Sequence, residues 1–179
     1  MSRIVLATGG ARSGKSAWAE CMAEKLDSKR VYIATSVPAD DEMRARVDRH
    51  RDRRAGNGWA TVEEPLHLAA ALERAAGGYG VALVDCLTAW IANRMYEADL
   101  ARQALTEKAV AGDCRRVIDA ARLMPCGTVL VTGEVGMGIV PENEVARRFR
   151  DLLGVCNQTI AAGADEVMLL VCGQPLRIK

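Results

Sequence analysis

Residues 9–16 read Gly9-Gly10-Ala11-Arg12-Ser13-Gly14-Lys15-Ser16, a G-x-x-x-x-G-K-S run placed directly after the apolar stretch Ile4-Val5-Leu6-Ala7. The glycines let the backbone curl so that its N–H groups point inward, and a helix starting near Gly14 adds its positive dipole end. Lys15 supplies a point charge for β- and γ-phosphates, and Ser16 a hydroxyl for Mg2+. With a strand before the loop and an amphipathic helix over Ala17–Leu26 after it, the spacing implies a nucleoside triphosphate site.

Two further groups could work with that site. Val81-Ala82-Leu83-Val84-Asp85 is an apolar strand ending in an acid, the form of the second nucleotide motif. Its carboxyl end would bring Asp85 near the metal held through Ser16. The competing reading is an aspartate that caps the helix beginning at Cys86. Residues 44–54 hold Arg44, Arg46, Arg49, Arg51, Arg53 and Arg54 around His50, a quarter of all Lys and Arg in eleven residues. On a helix, Arg46, Arg53 and Arg54 share a face with His50. Guanidinium forks grip phosphate, and nearby cations disfavour imidazolium, leaving a neutral nitrogen able to act as base or nucleophile. The alternative is a solvated helix whose Asp40, Asp41, Glu42, Asp48 and Asp52 pair with those arginines.

The elements needed to position these groups are legible as an α/β alternation. Strands are expected at Arg3–Ala7, Arg30–Ala34, Val81–Val84, Thr128–Thr132 and Glu166–Val171, with a short end at Leu176–Ile178. Helices are expected between them: from about Asp40, after Val84, in a helix-rich region from about Leu100 to Leu123, and from about Glu142 to Ala162. This pattern predicts a mostly parallel sheet with helices on both faces, as one domain over residues 1–179. The loop Gly133-Glu134-Val135-Gly136-Met137-Gly138-Ile139-Val140-Pro141 follows a sheet strand, where α/β folds build active-site rims; a plain glycine-rich connection fits it equally. His67 reads as a surface or half-buried histidine, and Trp59, Trp90 and Met137 as packing residues.

Composition narrows the function classes. Half of the 179 residues are apolar and a quarter charged, which is globular composition with enough chain for a sizeable core. The 24 basic residues nearly balance the 23 acidic ones, and only three Trp, three Tyr and one Phe are present, so neither a basic field nor a stacking platform argues for nucleic acid. No apolar run approaches the roughly 18 residues of a membrane span, and no signal-peptide pattern opens the chain, which reads as cytoplasmic. Six cysteines are scattered singly without zinc spacing, and are read as reduced, small hydrophobic residues.

Taken together, Thr8 to Ser16, Tyr32-Ile33-Ala34-Thr35-Ser36, Asp41-Glu42-Met43, Arg46-Val47-x-x-His50-Arg51, Trp59-x-Thr61-Val62-Glu63 and Glu134-Val135-Gly136-x-Gly138-Ile139-Val140-Pro141-Glu142-Asn143 resemble the adenosylcobinamide kinase/adenosylcobinamide-phosphate guanylyltransferase family. The likeness continues through Asn157-Gln158 to Gly173-x-Pro175-Leu176. It implies an enzyme of cobalamin biosynthesis with two reactions. In one, the corrinoid adenosylcobinamide is phosphorylated with ATP or GTP; in the other, GMP passes from GTP to that phosphate through a GMP-histidine, at the position of His50. The resemblance further implies nucleotide contacts at Gly9, Gly10, Ala11, Arg12, Ser13, Gly14, Lys15 and Ser16, at Ala34, Thr35 and Ser36, at Arg51, Asp52, Arg53 and Arg54, and at Glu63 and Asp85. Lys15 and His50 are the implied catalytic pair, Ser16 and Asp85 the Mg2+ ligands, and a RecA-like P-loop sheet and a homotrimer are implied likewise. The departures are Ala55-Gly56-Asn57-Gly58 before Trp59, Gly133 where the family commonly has Asn, and Asp85 where some relatives carry Glu. A simple P-loop small-molecule kinase without guanylyl transfer is the nearest alternative, and a regulatory nucleotide switch a more distant one.

Overall fold

Parallel strands buried on both faces read as unbroken apolar runs, and Ile4-Val5-Leu6-Ala7, Val81-Ala82-Leu83-Val84 and Val129-Leu130-Val131 are of that kind. In the computed structural model, which describes residues 2–37 and 58–179, they form the middle of one seven-stranded sheet. The elements run β1 (Arg3–Thr8), α1 (Lys15–Leu26), β2 (Arg30–Ala34), β3 (Trp59–Glu63), α2 (Leu68–Ala76), β4 (Val81–Asp85), α3 (Leu87–Leu100), α4 (Glu107–Ala121), β5 (Gly127–Val131), α5 (Glu144–Gly163), β6 (Glu166–Val171) and β7 (Gln174–Arg177). The strand order is β3-β2-β4-β5-β1-β6-β7. All neighbours are parallel except β6 and β7, whose antiparallel turn at Cys172 and Gly173 has positive φ at both residues, as a tight hairpin demands.

Because side chains alternate across a strand, each run feeds two cores. Val5, Ala7, Tyr32, Leu83, Val129 and Val131 face α1, whose Ala19 and Ala23 allow it to lie close. Ile4, Leu6, Ile33, Val84 and Leu130 face the opposite way, under α2 to α5, where Leu72, Trp90, Val117 and Leu153 complete the larger core. The buried Leu152, Leu153, Cys156 and Ile160 of α5 recur at helical spacing on the face turned to the sheet.

Three elements differ from the sequence expectation. Trp59–Glu63, read only as part of a motif, is an edge strand paired in parallel with β2. The region expected to be helix-rich from about Leu100 holds one helix that starts later: α3 ends at Leu100, Arg102 turns into left-handed backbone at φ 54, and Thr106 caps α4 by accepting from the Ala109 N–H. The short terminal strand lies at Gln174–Arg177 rather than Leu176–Ile178. Of the six cysteines, all free, Cys114 and Cys156 are buried as expected, whereas Cys21 and Cys172 are exposed.

Register brings the strand ends into line. Ala7 pairs with Val131, Val131 with Asp85, Asp85 with Ala34, and Ala34 with Glu63. The phosphate loop and the sequence-expected residues at 34, 63 and 85 therefore leave the sheet along one carboxyl edge, where open α/β sheets place their ligand crevice.

Candidate functional site

The connection from β1 to α1 is shaped by its glycines. Gly9 has φ 147, and a Cβ there would lie 2.4 Å from the carbonyl oxygen of Leu170 on β6, so the loop closes against the sheet only without a side chain. Gly14 is the N-cap of α1 at φ 93, and no side chain caps the helix. Its first N–H groups are thus left to whatever anion enters. The hairpin between β6 and β7 braces the loop from behind, the Gly173 N–H donating to the Ser13 carbonyl at 2.9 Å.

Lys15 folds back over this loop, donating to the Gly10 carbonyl at 2.6 Å and to Ser13 Oγ at 3.5 Å. Partial burial pulls its pKa below the ordinary lysine value, against the opposing influence of Cys86 and Asp85. The lysine therefore feels the acid at the end of β4, two strands away. An ammonium held by one carbonyl and a weak hydroxyl contact can be drawn onto phosphate oxygens at little cost.

Asp85 does not cap the following helix. The N-cap of α3 is Cys86, without a side-chain cap, and Asp85 Oδ2 instead accepts from the Tyr32 hydroxyl at 2.9 Å. Asp85 lies on the α1 face of the sheet, the face that carries Lys15 and Ser16 at the head of that helix. Beside it the Cys86 thiol is pushed up by burial and by the charge of Asp85, so it remains protonated.

The ends of β2, β3 and β4 are tied into one frame. Thr35, fully buried, spends its hydroxyl on Cys86, donating to the carbonyl at 2.6 Å and accepting from the N–H at 2.7 Å. Its backbone is engaged as well, the N–H donating to the Asp85 carbonyl at 3.2 Å. Asn93 on α3 uses one amide to donate to the Thr35 carbonyl at 2.7 Å and the Pro65 carbonyl at 3.2 Å, and Trp90 Nε1 donates to the Leu66 carbonyl at 2.9 Å. Glu64 accepts from the N–H groups of His67 and Leu66; burial pushes its carboxyl up, but those N–H groups, together with His67 and Arg74, hold it below the usual value. Glu63 stands exposed at the edge of this frame, with Ala34 and Ser36 half-buried beside it.

The exit of β5 is stitched to the phosphate loop. The Glu134 N–H donates to the Gly9 carbonyl at 3.0 Å. Thr132 Oγ1 donates to Asn157 Oδ1 at 2.7 Å, Asn157 Nδ2 donates to the Gly133 carbonyl at 3.0 Å, and the Gly133 N–H donates to Thr88 Oγ1 at 2.6 Å. A Cβ at residue 133 would meet that threonine oxygen at 3.1 Å, which leaves little room for any side chain there. Beyond this knot Met137, Ile139 and Val140 are exposed.

Tyr32 carried only a motif position in the sequence reading, and Asn93, Thr88 and Thr132 carried none. Each acts through a partner distant in sequence, and only the Asn157-Gln158 motif hinted at the network. Arg94 and Arg116 are paired with Asp113 around a cavity of about 280 Å3 on the α2–α4 side, with exposed His67 at its mouth. His50, Arg51, Asp52, Arg53 and Arg54, the other expected site residues, lie outside the described residues.

Mg2+ takes about six oxygen ligands and usually keeps several waters. Ser16 and Asp85 offer a hydroxyl and a carboxylate on one face, hard donors that fit this ion but would hold it only together with phosphate oxygens. Among the described residues no group of three His, Cys, Asp or Glu could cage a metal ion alone, and no helix is long and apolar enough to cross a membrane.

Comparison with known proteins places this arrangement. Among solved structures, the RadB recombinase matches 93% of this chain and 73% of its own at TM-score 0.53 and 12% identity. An ATP synthase subunit, NeqB, from Nanoarcheaum equitans matches 94% of this chain and 45% of its own at TM-score 0.55 and 11% identity. Those likenesses give the fold, a RecA-like P-loop sheet. The bifunctional adenosylcobalamin biosynthesis proteins CobU of Escherichia coli and of Salmonella typhimurium are each 42% identical, over 98% of this chain and 99% of theirs. CobP of Pseudomonas aeruginosa is 38% identical over 97% of this chain and 96% of its own. The family model for cobinamide kinase / cobinamide phosphate guanyltransferase matches residues 5–178, and the chain belongs to that family.

Proposed function

We propose that this chain phosphorylates adenosylcobinamide with ATP or GTP and then transfers GMP from GTP to adenosylcobinamide phosphate through a GMP-histidine on His50, yielding adenosylcobinamide-GDP and pyrophosphate. Residues 1–179 act as one transferase domain, in a cytoplasmic homotrimer. The observation that best supports a triphosphate in this crevice is the shared carboxyl edge: the uncapped head of α1 with Lys15 and Ser16 stands on the same sheet face as Asp85.

In the kinase half, N–H groups of residues 10–16 and the Lys15 ammonium hold the β- and γ-phosphates, leaving the γ-phosphorus open to the corrinoid's hydroxyl. Mg2+, when bound, neutralises phosphate charge and keeps the transferring group aligned. Ser16 and Asp85 would hold it. In the guanylyl half, a neutral His50 nitrogen attacks the α-phosphorus of GTP. An N–P bond forms, the bond to the bridging oxygen breaks, and pyrophosphate leaves. A phosphate oxygen of adenosylcobinamide phosphate then attacks the same phosphorus, and the N–P bond breaks to restore histidine. Arg51, Arg53 and Arg54 orient and neutralise the leaving group, while Ala34, Thr35, Ser36, Asp52 and Glu63 hold the guanine nucleotide.

Incubation with α-labelled GTP tests the second half directly. Wild-type protein is expected to take up an acid-labile, base-stable label that His50→Ala lacks. A wild type that takes up none while it phosphorylates cobinamide would be a simple kinase, and the guanylyl-transfer reading would fail.

A further inference from the structure

Tyr32 and Asp85 are 53 residues apart and meet through register. On adjacent parallel strands Tyr32 pairs with Leu83, so Asp85 stands two residues further along on the same face. That diagonal is about 7–8 Å, within reach of a tyrosine and of few other side chains. The ring fills it: Tyr32 is 6% exposed and its hydroxyl donates to Asp85 Oδ2 at 2.9 Å. Trp59 packs edge-on against the ring at 6.3 Å and 78°, and the Arg30 guanidinium lies 5.4 Å from the Trp59 ring centroid. β3 and β2 thus brace the phenol from the sheet's outer edge.

We propose that Tyr32 is a positioning residue for Asp85: by holding Oδ2 it fixes the carboxylate in one rotamer, so that Asp85 meets the nucleotide-bound cation through Oδ1. A freely rotating aspartate must be ordered when the ion arrives, and that ordering is subtracted from affinity; a carboxylate already held loses less. The inference rests on the reading that Asp85 serves the metal, and the test separates the two.

Binding of Mn2+ to the protein in complex with α,β-methylene-GTP is measured by electron paramagnetic resonance for wild type, Tyr32→Phe, Asp85→Asn and the double variant. Tyr32→Phe removes one oxygen atom and keeps the ring against Trp59. It is expected to weaken Mn2+ about tenfold, the factor a lost charge-assisted hydrogen bond supports, with metal-free nucleotide affinity unchanged. In the Asp85→Asn background the same substitution is expected to add nothing. Normal Mn2+ affinity in Tyr32→Phe beside weakened affinity in Asp85→Asn would overturn the proposal, leaving Tyr32 as a satisfied core phenol. An equal loss from Tyr32→Phe in both backgrounds would also overturn it, since the effect would not pass through Asp85. Full affinity in Asp85→Asn would instead overturn the metal reading itself.

Discussion

Gly9 and Gly10 are neighbours in one motif, yet the structure assigns them opposite sensitivities. Gly9 is buried with φ 147, a backbone region that residues with a Cβ rarely adopt, and an added Cβ would sit 2.4 Å from the Leu170 carbonyl oxygen and 2.9 Å from Ser13 Oγ. The serine hydroxyl can rotate away, but Leu170 is backbone of β6, a strand paired on both sides. For Gly9→Ala the backbone strain is about 1–3 kcal/mol, and forcing an extra carbon into a closed contact adds about 1–3 kcal/mol. At about 2–4 °C per kcal/mol for a chain of this size, melting of the nucleotide-free protein should fall by on the order of 5–20 °C. Gly10 is exposed, lacks a positive φ, and an added Cβ would meet nothing within 4 Å. Gly10→Ala should therefore melt within about 2 °C of wild type, because it adds no clash and slightly restricts the unfolded chain. Differential scanning calorimetry without nucleotide reads both. A Gly9→Ala protein that melts with wild type, or a Gly10→Ala protein that falls as far as Gly9→Ala, would refute the reasoning.

Acid stability and the site frame give two further expectations. Asp165 is gripped by both terminal nitrogens of Arg122 and also accepts from the Ile4 N–H, and the arginine is the leading cause that holds its carboxyl below the usual range. A lowered folded-state value means that this stabilisation is complete above the ordinary 3.8 and fades as pH falls through the folded value. The gap in urea midpoint between wild type and Asp165→Asn should thus be open at pH 7 and narrow toward pH 2; a constant gap would contradict the linkage. Asn93→Leu strips donors from the Thr35 and Pro65 carbonyls, at about 1–3 kcal/mol for unsatisfied partly buried groups. Nucleotide KM should rise with the loss, and an unchanged KM would mean that the frame does not position the nucleotide.

Much of this was legible because phosphate binding constrains sequence tightly. Gly9, Gly14 and Lys15 are required by backbone curl and charge at fixed spacing, and the apolar runs of β1, β4 and β5 follow from burial on two faces. Trp59–Glu63 escaped because an edge strand with no buried residue carries no apolar run. Its identity as a strand comes from register with β2, a long-range fact. The late start of α4 was hidden for a different reason: Arg102 adopts left-handed backbone without being the Gly or Asn that would announce it. Tyr32, Asn93 and Thr88 stayed silent because their partners are set by which strands and helices become neighbours. Thr35 shows the converse. Its place in the motif was visible, but not that its hydroxyl is already consumed by Cys86.

The insertion of β5 between β1 and β4 sets a length scale for the whole crevice. Strands in a sheet repeat about every 4.8 Å, so the lysine-bearing jaw and the acid-bearing jaw are rooted about 10 Å apart. Because this gap comes in whole strands, side-chain substitution cannot tune it by fractions of an ångström. Discrimination among triphosphates, and the choice between attack at the γ- and the α-phosphorus, is then left to the segments that leave the carboxyl edge, free to diverge while the distance between the jaws stays constant.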